Sequence, residues 1–517
     1  MGGPVYILSE DTQRTRGRDA QGSNIAAGKA VAEAVRTTLG PRGMDKMLVD
    51  TSGNVVITND GVTILDEMDI EHPAAQMLVE VAESQENEVG DGTTTAAVLA
   101  GQLLAQAEDL LDDDVHPTTI VEGYAEARRL ALDAIDDLVL DEELTDELLV
   151  QVAESSMTGK GTGDISAEYL GELVVDAIRS VQDDDGVNRD DVRVFTKSGG
   201  SASATKLVEG VIVDDEPVRD DMPRLVEDAT IAVLDAKLSK RETEIDAEYN
   251  ITNVDQLNAA LDAEEREFRR YAEALAEAGV TVLFATKSID DRAAAALARK
   301  DILAFESVSK KDATAIASAT GASKIGTVAD IDAADLGHAD AIRVEKYDED
   351  ELTFVEGGEA AESVTLFVRG GTEHVVTELE RSMNDALDVV TAALDKGGVV
   401  PGAGMTEIRV AGAVRDGANA IEGRKQLAVE AFADALDALP RTLAANAGMD
   451  PIDALVDLRA ANEKGNAGVI AAGETGHLGD PIEEGILDPA AVKREAIDSA
   501  TEAATMIVRI DDIIAAE

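Results

Sequence analysis

The segment Val89-Gly90-Asp91-Gly92-Thr93-Thr94-Thr95 sets two glycines, a carboxylate and three hydroxyls directly before the apolar run Ala96-Ala97-Val98-Leu99-Ala100. Glycines let a backbone approach a ligand closely, and the free N–H groups of a helix start attract phosphate oxygens. The threonines add hydroxyl donors, and Asp91 adds a hard oxygen ligand of the kind Mg²⁺ takes. The same residues also fit an Asp-Gly turn followed by a Thr-capped helix, and alone they leave both readings open. Two further stretches could contribute, Leu39-Gly40-Pro41-Arg42-Gly43-Met44-Asp45-Lys46 and Ile57-Thr58-Asn59-Asp60-Gly61-Val62-Thr63, each a turn beside a helix or strand end. Asp60, and Asp385 much later, could orient or deprotonate a water, although a lone Asp in so acidic a chain is most often a solvated surface group. The common nucleotide motif GxxxxGK[ST] is absent. Its nearest approach, Gly22 to Gly28-Lys29-Ala30, has one residue too many and no hydroxyl after the lysine, and reads as ordinary helix.

Composition removes other chemistries. Cysteine is absent, so disulfides, thiolate zinc sites and Cys nucleophiles are excluded together. The five histidines, His72, His116, His338, His374 and His477, show no metal-ligand spacing. The formal net charge of -60, from 105 acidic and 45 basic residues, is spread along the chain and repels phosphate backbones and anionic membranes, so neither nucleic acid nor membrane is expected as a partner. Such a surface suits molar salt, where the Debye length falls to about 3 Å and self-repulsion is screened. No run is long and apolar enough to span a bilayer and the first thirty residues do not have the order of a signal peptide, so the expected location is cytoplasmic.

The elements that must position these residues are helical at both ends and mixed in the middle. With 517 residues the chain is expected to form two to four domains. Ser23 can cap a helix through Ala26, Ala30, Val31 and Val35, ended by Gly40 and Pro41; Pro73, Thr93 and Pro117 open three more. Met47 to Val49 and Val55 to Ile57 read as a hairpin, and the closing Met506 to Ile514 as helix with a possible strand edge at Ile507 to Ile510. From Val192 onward, β-rich runs at 192–195, 231–234, 280–284 and 364–368 alternate with loops or helices, which suggests α/β units. Within them Lys240 to Arg270 is polar and weakly amphipathic through Leu257, Leu261 and Phe268, and helical spacing returns from His374 through Val376, Leu379, Met383, Leu387 and Val390.

Taken together, LGPRGMDKM at Leu39 to Met47, NDGVTIL at Asn59 to Leu65 and GDGTTTAAVLAG at Gly90 to Gly101 resemble the group II chaperonins, the archaeal thermosome and eukaryotic cytosolic class. TGK at Thr158 to Lys160, RGGT at Arg369 to Thr372, ERSMNDAL at Glu380 to Leu387 and NAGMDP at Asn446 to Pro451 extend the resemblance over the whole chain. It implies an α/β multidomain chaperonin fold. Residues 1–143 and 399–517 would form a mainly α-helical equatorial ATP-binding domain, 144–208 and 363–398 a mixed α/β intermediate hinge, and 209–362 an α/β apical substrate-binding domain with a helical lid protrusion at about 239–270.

By the same resemblance, Gly92, Thr93, Thr94, Thr95, Leu39, Gly40 and Pro41 hold the phosphates of ATP, Asp91 ligates Mg²⁺, Asp60 and Asp385 activate water, and Lys160 senses the γ-phosphate. Gly402, Gly404 and Asp488 lie on the ribose side. The implied activity is ATP hydrolysis that closes a built-in lid over non-native protein, in two stacked rings of about eight or nine identical or paralogous subunits, with no separate lid co-chaperonin. The hairpin and the terminal segment, as open strand edges, would pair with neighbouring subunits. Two departures stand out: Pro401-Gly402-Ala403-Gly404 where the family usually reads three glycines, and Ala304-Phe305-Glu306-Ser307 without the family's paired arginines. Ala403 motivates an alternative, a subunit of weak ATPase serving as scaffold or specialised partner in a mixed ring. A small-molecule phosphotransferase is a third reading, resting on the phosphate grip alone.

Overall fold

The computed structural model describes residues 13–159, 165–183, 186–239, 254–347, 350–358 and 363–515. The chain divides into two compact units, residues 1–175 with 377–517, and residues 176–376.

The first unit is built by both ends of the chain. Helices Arg18–Arg36, Pro73–Val89, Thr93–Asp112 and Pro117–Asp136 pack with Met405–Ala418, Arg424–Asn446 and Ala490–Val508 around one apolar core. Pro73 and Pro117 open their helices as the sequence predicts, each behind a histidine whose ring accepts a backbone N–H, His72 from Ala74 and His116 from Thr118. Helix Thr93–Asp112 runs through the middle, with Leu99, Leu103 and Leu104 fully buried. Tyr124 donates its hydroxyl to the Leu103 carbonyl at 2.8 Å and meets Phe432 edge-on at 5.7 Å.

Two local expectations change. The first helix begins at Arg18 rather than at Ser23, because Gly17, with φ of 62°, turns the chain there and its N–H is held by the Asp511 carbonyl at 2.7 Å. The last helix ends at Val508, so 507–510 forms no strand. The terminal strand is Asp512–Ala515, and Gln13–Arg16 of the same chain pairs with it antiparallel. Lys29, in the near-miss for a phosphate loop, sits inside Arg18–Arg36 and pairs with Glu108 at 2.6 Å. The hairpin forms as expected from Lys46–Val49 and Val55–Thr58, and its Met47 and Val49 are 66% and 62% exposed.

The second unit is an α/β structure on a nine-stranded mixed sheet. Leu303–Phe305, Val282–Ala285 and Leu225–Leu234 run parallel, as does Lys324–Ile325 beside the last of them. Gly337–Tyr347, Asp350–Gly358 and Lys206–Val213 continue the sheet antiparallel, and Val364–Gly370 pairs parallel with Val192–Ser198 at its far edge. The strands predicted near 192, 231, 280 and 364 are all present, three of them extended by a few residues and the third in chain order confined to Val282–Ala285. Phe284 stacks on Phe305 at 4.7 Å within the core. In the predicted protrusion, residues 240–253 lie outside the described residues. Helix Val254–Glu277 follows, burying Phe268, Ala272 and Leu275.

A buried ion cluster ties three helices of the first unit. Asp437, on Arg424–Asn446, is buried and accepts from Arg415 of Met405–Ala418 and Arg459 of Pro451–Asn462. Removing the acid takes a partner from both guanidinium groups, of which Arg459 is half exposed and Arg415 keeps Asp434, so Asp437→Ala should destabilise the fold by about 1.5–3 kcal/mol, read as a lower denaturant midpoint in molar KCl with the slope unchanged. A loss below about 0.5 kcal/mol would show that the cluster contributes nothing.

Candidate nucleotide site

The segment Gly90-Asp91-Gly92 is the whole connection between helices Pro73–Val89 and Thr93–Asp112. Both glycines are left-handed, with φ of 69° and 82°. A Cβ at Gly90 would strike Asp388, and one at Gly92 would lie 2.8 Å from Val492. Gly92 is the N-cap and no side chain caps this helix, so the Thr-capped reading fails and the first-turn N–H groups stay available to an anion. Gln85, fully buried, donates to the Asp91 carbonyl at 2.7 Å and the Val492 carbonyl at 3.2 Å, which fastens the turn from below.

This helix start opens on a cavity of about 440 Å³ contained within the first unit. Leu39, Gly40, Pro41, Asp60, Asp91, Gly92, Thr93, Thr94, Thr95, Gly404 and Asp488 all line it, residues that lie up to 449 positions apart in the chain. Asp60 is the N-cap of helix Gly61–Asp66. Its Oδ2 accepts from the Thr63 N–H at 2.9 Å and the Thr63 hydroxyl at 2.6 Å, while Oδ1 lies 3.4 Å from the Thr93 hydroxyl. Asp91 uses Oδ1 to accept from the Gly92 N–H at 2.7 Å. The 39–41 turn is held by Asn446, whose amide donates to the Leu39 carbonyl at 2.8 Å.

The opposite wall carries a second helix start without a side-chain cap, Gly404 before Met405–Ala418. Ala403 adopts φ of 55°, a left-handed backbone that disfavours a side chain, and lines the cavity. Its carbonyl accepts from Val469 at 2.8 Å. Gly402 does not line the cavity. It sits behind Asp488, where a Cβ would come 3.1 Å from Oδ2. Asp385 is also outside the lining. It lies half-buried on helix Glu373–Asp395, one turn before the Asp388 that packs on Gly90. Lys160 lies outside the described residues; just before it, Thr158 and Gly159 line the cavity, and Asn59 donates to the Gly159 carbonyl at 3.0 Å.

Sequence reasoning named Arg42 only as part of the 39–46 stretch and missed Glu407 and Lys493 as lining residues. Arg42 donates only to carbonyls, those of Ala447, Ala471, Gly473 and Glu474, and so fixes the loop over the pocket. Lys493 pairs with Asp488 and Glu407, both at 2.7 Å; burial opposes its charge, yet the two carboxylates hold its pKa above the ordinary lysine value. The one available signal for Lys493 was its place directly after the apolar run Ala490-Ala491-Val492.

The lining thus presents four carboxylates, Asp60, Asp91, Glu407 and Asp488, against Arg42 and Lys493. A polyphosphate needs added positive charge there. Among the described residues no three acidic or histidine side chains gather to hold a metal by themselves. This donor set fits Mg²⁺, which is held through one or two carboxylates together with substrate phosphates and water rather than in an all-protein cage.

Residues 31–517 match the TCP-1/cpn60 chaperonin family. Thermosome subunit 3 of Haloferax volcanii is 69% identical over 517 residues, covering 99% of each chain. Thermosome subunit alpha of Halobacterium salinarum is 54% identical over 517 residues, 99% of this chain and 91% of that one. The thermosome subunit of Methanopyrus kandleri is 51% identical over 520 residues, covering 100% and 95%. With the family matched over almost its full length and these identities on both sides, the chain belongs to the TCP-1/cpn60 chaperonin family.

Proposed function

We propose that the chain binds and hydrolyses ATP in this cavity, as one subunit of a chaperonin ring that folds non-native protein. The observation that carries the reading is the convergence of Asp60, Asp91 and the uncapped start of Thr93–Asp112 on one cavity. Backbone N–H groups of 93–95 and the threonine hydroxyls would bind phosphate oxygens brought close over Gly92, with Leu39, Gly40 and Pro41 forming the facing wall. Asp91 would hold Mg²⁺, which supplies positive charge to the phosphates when bound. Asp488, with Gly402 and Gly404 beside it, would receive the ribose.

For hydrolysis, a water oxygen bonds to the γ-phosphorus while the bond to the β–γ bridging oxygen breaks, and the water's proton passes to a carboxylate. Asp60, already oriented by Thr63, positions that water, and Asp385 accepts the proton. Asp385 stands outside the cavity lining, so its helix moves inward before reaction; Lys160 senses the γ-phosphate in the same step. The division into equatorial, hinge and apical domains at the boundaries given above is the framework for that movement, which closes a lid built on the apical segment without a separate co-chaperonin.

No described helix is long and apolar enough to cross a membrane. The net charge of -60 suits a cytoplasm at molar salt and a chamber wall that resists adhesion. The intact Asp60, Asp91 and Asp385 argue against the weak-ATPase scaffold despite Ala403. The exposed hairpin is the ring contact, pairing with a neighbouring copy or paralogue.

Three tests follow. In steady-state phosphate release at molar KCl, Asp60→Ala and Asp385→Ala should each lower kcat by about 100-fold or more with KM little changed; an Asp385→Ala rate equal to wild type removes that residue from the chemistry. Asp91→Ala should raise the Mg²⁺ concentration for half-maximal nucleotide binding by about tenfold or more, and an unchanged Mg²⁺ dependence contradicts the metal assignment. Met47→Asp combined with Val49→Asp should convert rings to smaller species in sedimentation velocity, whereas rings of unaltered size would place the contact elsewhere.

A further inference from the structure

Resting on the reading of Asp488 as the ribose contact, we infer that Lys493 is a positioning residue that aims Asp488, and that Glu407 anchors Lys493 from behind. The three side chains form a graded file. Glu407 is the deepest, 8% exposed; Lys493 is 14% exposed between its partners; Asp488 is 29% exposed at the cavity wall. Glu407 gives Oε1 to Lys493 at 2.7 Å, and its Oε2 has no hydrogen-bond partner, so the lysine is the main answer to its buried charge. Lys493 reaches Oδ2 of Asp488 at 2.7 Å.

Two features keep Asp488 from turning. Oδ2 lies in the space left by Gly402, and the residue's backbone belongs to the strand Leu487–Pro489, paired with Val399–Pro401. With Oδ2 occupied, Oδ1 is the oxygen left to accept a hydroxyl donor. Lys493 and Asp488 stand on either side of the strand-to-helix junction at Pro489, so the ammonium also locks the start of helix Ala490–Val508 to the wall. The group recognised is a pair of vicinal hydroxyls on a pentose, and the lysine sets which way the accepting oxygen faces.

Equilibrium binding to the full chain in molar KCl, comparing ATP with 2′-deoxy-ATP and 3′-deoxy-ATP, separates this inference from the reading beneath it. Wild type should bind ATP about tenfold more tightly than at least one deoxy analogue, and Asp488→Ala should erase that preference. Lys493→Met with Glu407→Gln keeps the net charge of the cluster at minus one and avoids an unpaired buried acid. It should lose the preference while binding inorganic triphosphate with Mg²⁺ as wild type does. If this variant keeps the full preference and Asp488→Ala loses it, the lysine has no positioning role and the ribose contact stands. If Asp488→Ala keeps the preference, the ribose reading falls and the inference with it. Should the double variant fail to fold, Glu407→Gln, which leaves Lys493 paired with Asp488 and no acid unpaired, serves instead: with the anchor weakened the preference should shrink at least about threefold, and an undiminished one overturns the inference.

Discussion

The site depends on a helix start left without a cap. Most helices of this chain close their first turn with a side chain, as Asp60 does for Gly61–Asp66 and Asp450 for Pro451–Asn462. At Gly92 and again at Gly404 a left-handed glycine takes that place and offers no oxygen. At Gly92 the free first-turn N–H groups therefore face the cavity, whereas at Gly404 the Met405 N–H is taken by the Gly402 carbonyl at 3.1 Å. A glycine in place of a Ser or Asp cap costs only about a few tenths of a kcal/mol, a cost the rest of the fold offsets. The offset lies in packing: Val98, Leu99, Leu103 and Leu104 are buried along the helix that Gly92 opens.

Rigidity around that turn comes from side chains spent on backbone atoms. Gln85 holds the Asp91 carbonyl, Asn446 the Leu39 carbonyl and Arg42 the carbonyls of the 471–474 loop. None of these contacts carries chemistry of its own. They fix where donors and carboxylates point, so that a ligand meets preorganised groups rather than ordering them on arrival. The ion pairs behave likewise: Asp437 joins three helices, and Lys493 joins a helix to the cavity wall.

Much of this was legible in the sequence, for identifiable reasons. Helix openings at Pro73, Thr93 and Pro117 follow from local backbone preferences, and the structure has them at those residues. Leu39, Asp60, Asp91 and Asp488 meet in one cavity, which distant turns could suggest only through resemblance to a family. Burial was not legible: Glu407 and Lys493 look like ordinary charges in so acidic a chain until helices from both ends enclose them. The first-helix boundary failed because Ser23 is a good cap by type, whereas the pairing of Gly17 with Asp511 comes from the far end of the chain. Pairing over that distance also supplied the terminal strand that the 507–510 pattern placed too early.

The central claim is that phosphates bind at the uncapped start of Thr93–Asp112 with Asp91 beside them. An experimental structure of the ring with ADP and Mg²⁺ at molar KCl tests it most directly. The account predicts phosphate density within hydrogen-bond distance of the 93–95 backbone, a metal ion bound through Asp91 or a water on it, and the ribose against Asp488. Nucleotide bound elsewhere, or phosphates in this cavity turned away from the Gly92 helix start, would contradict it.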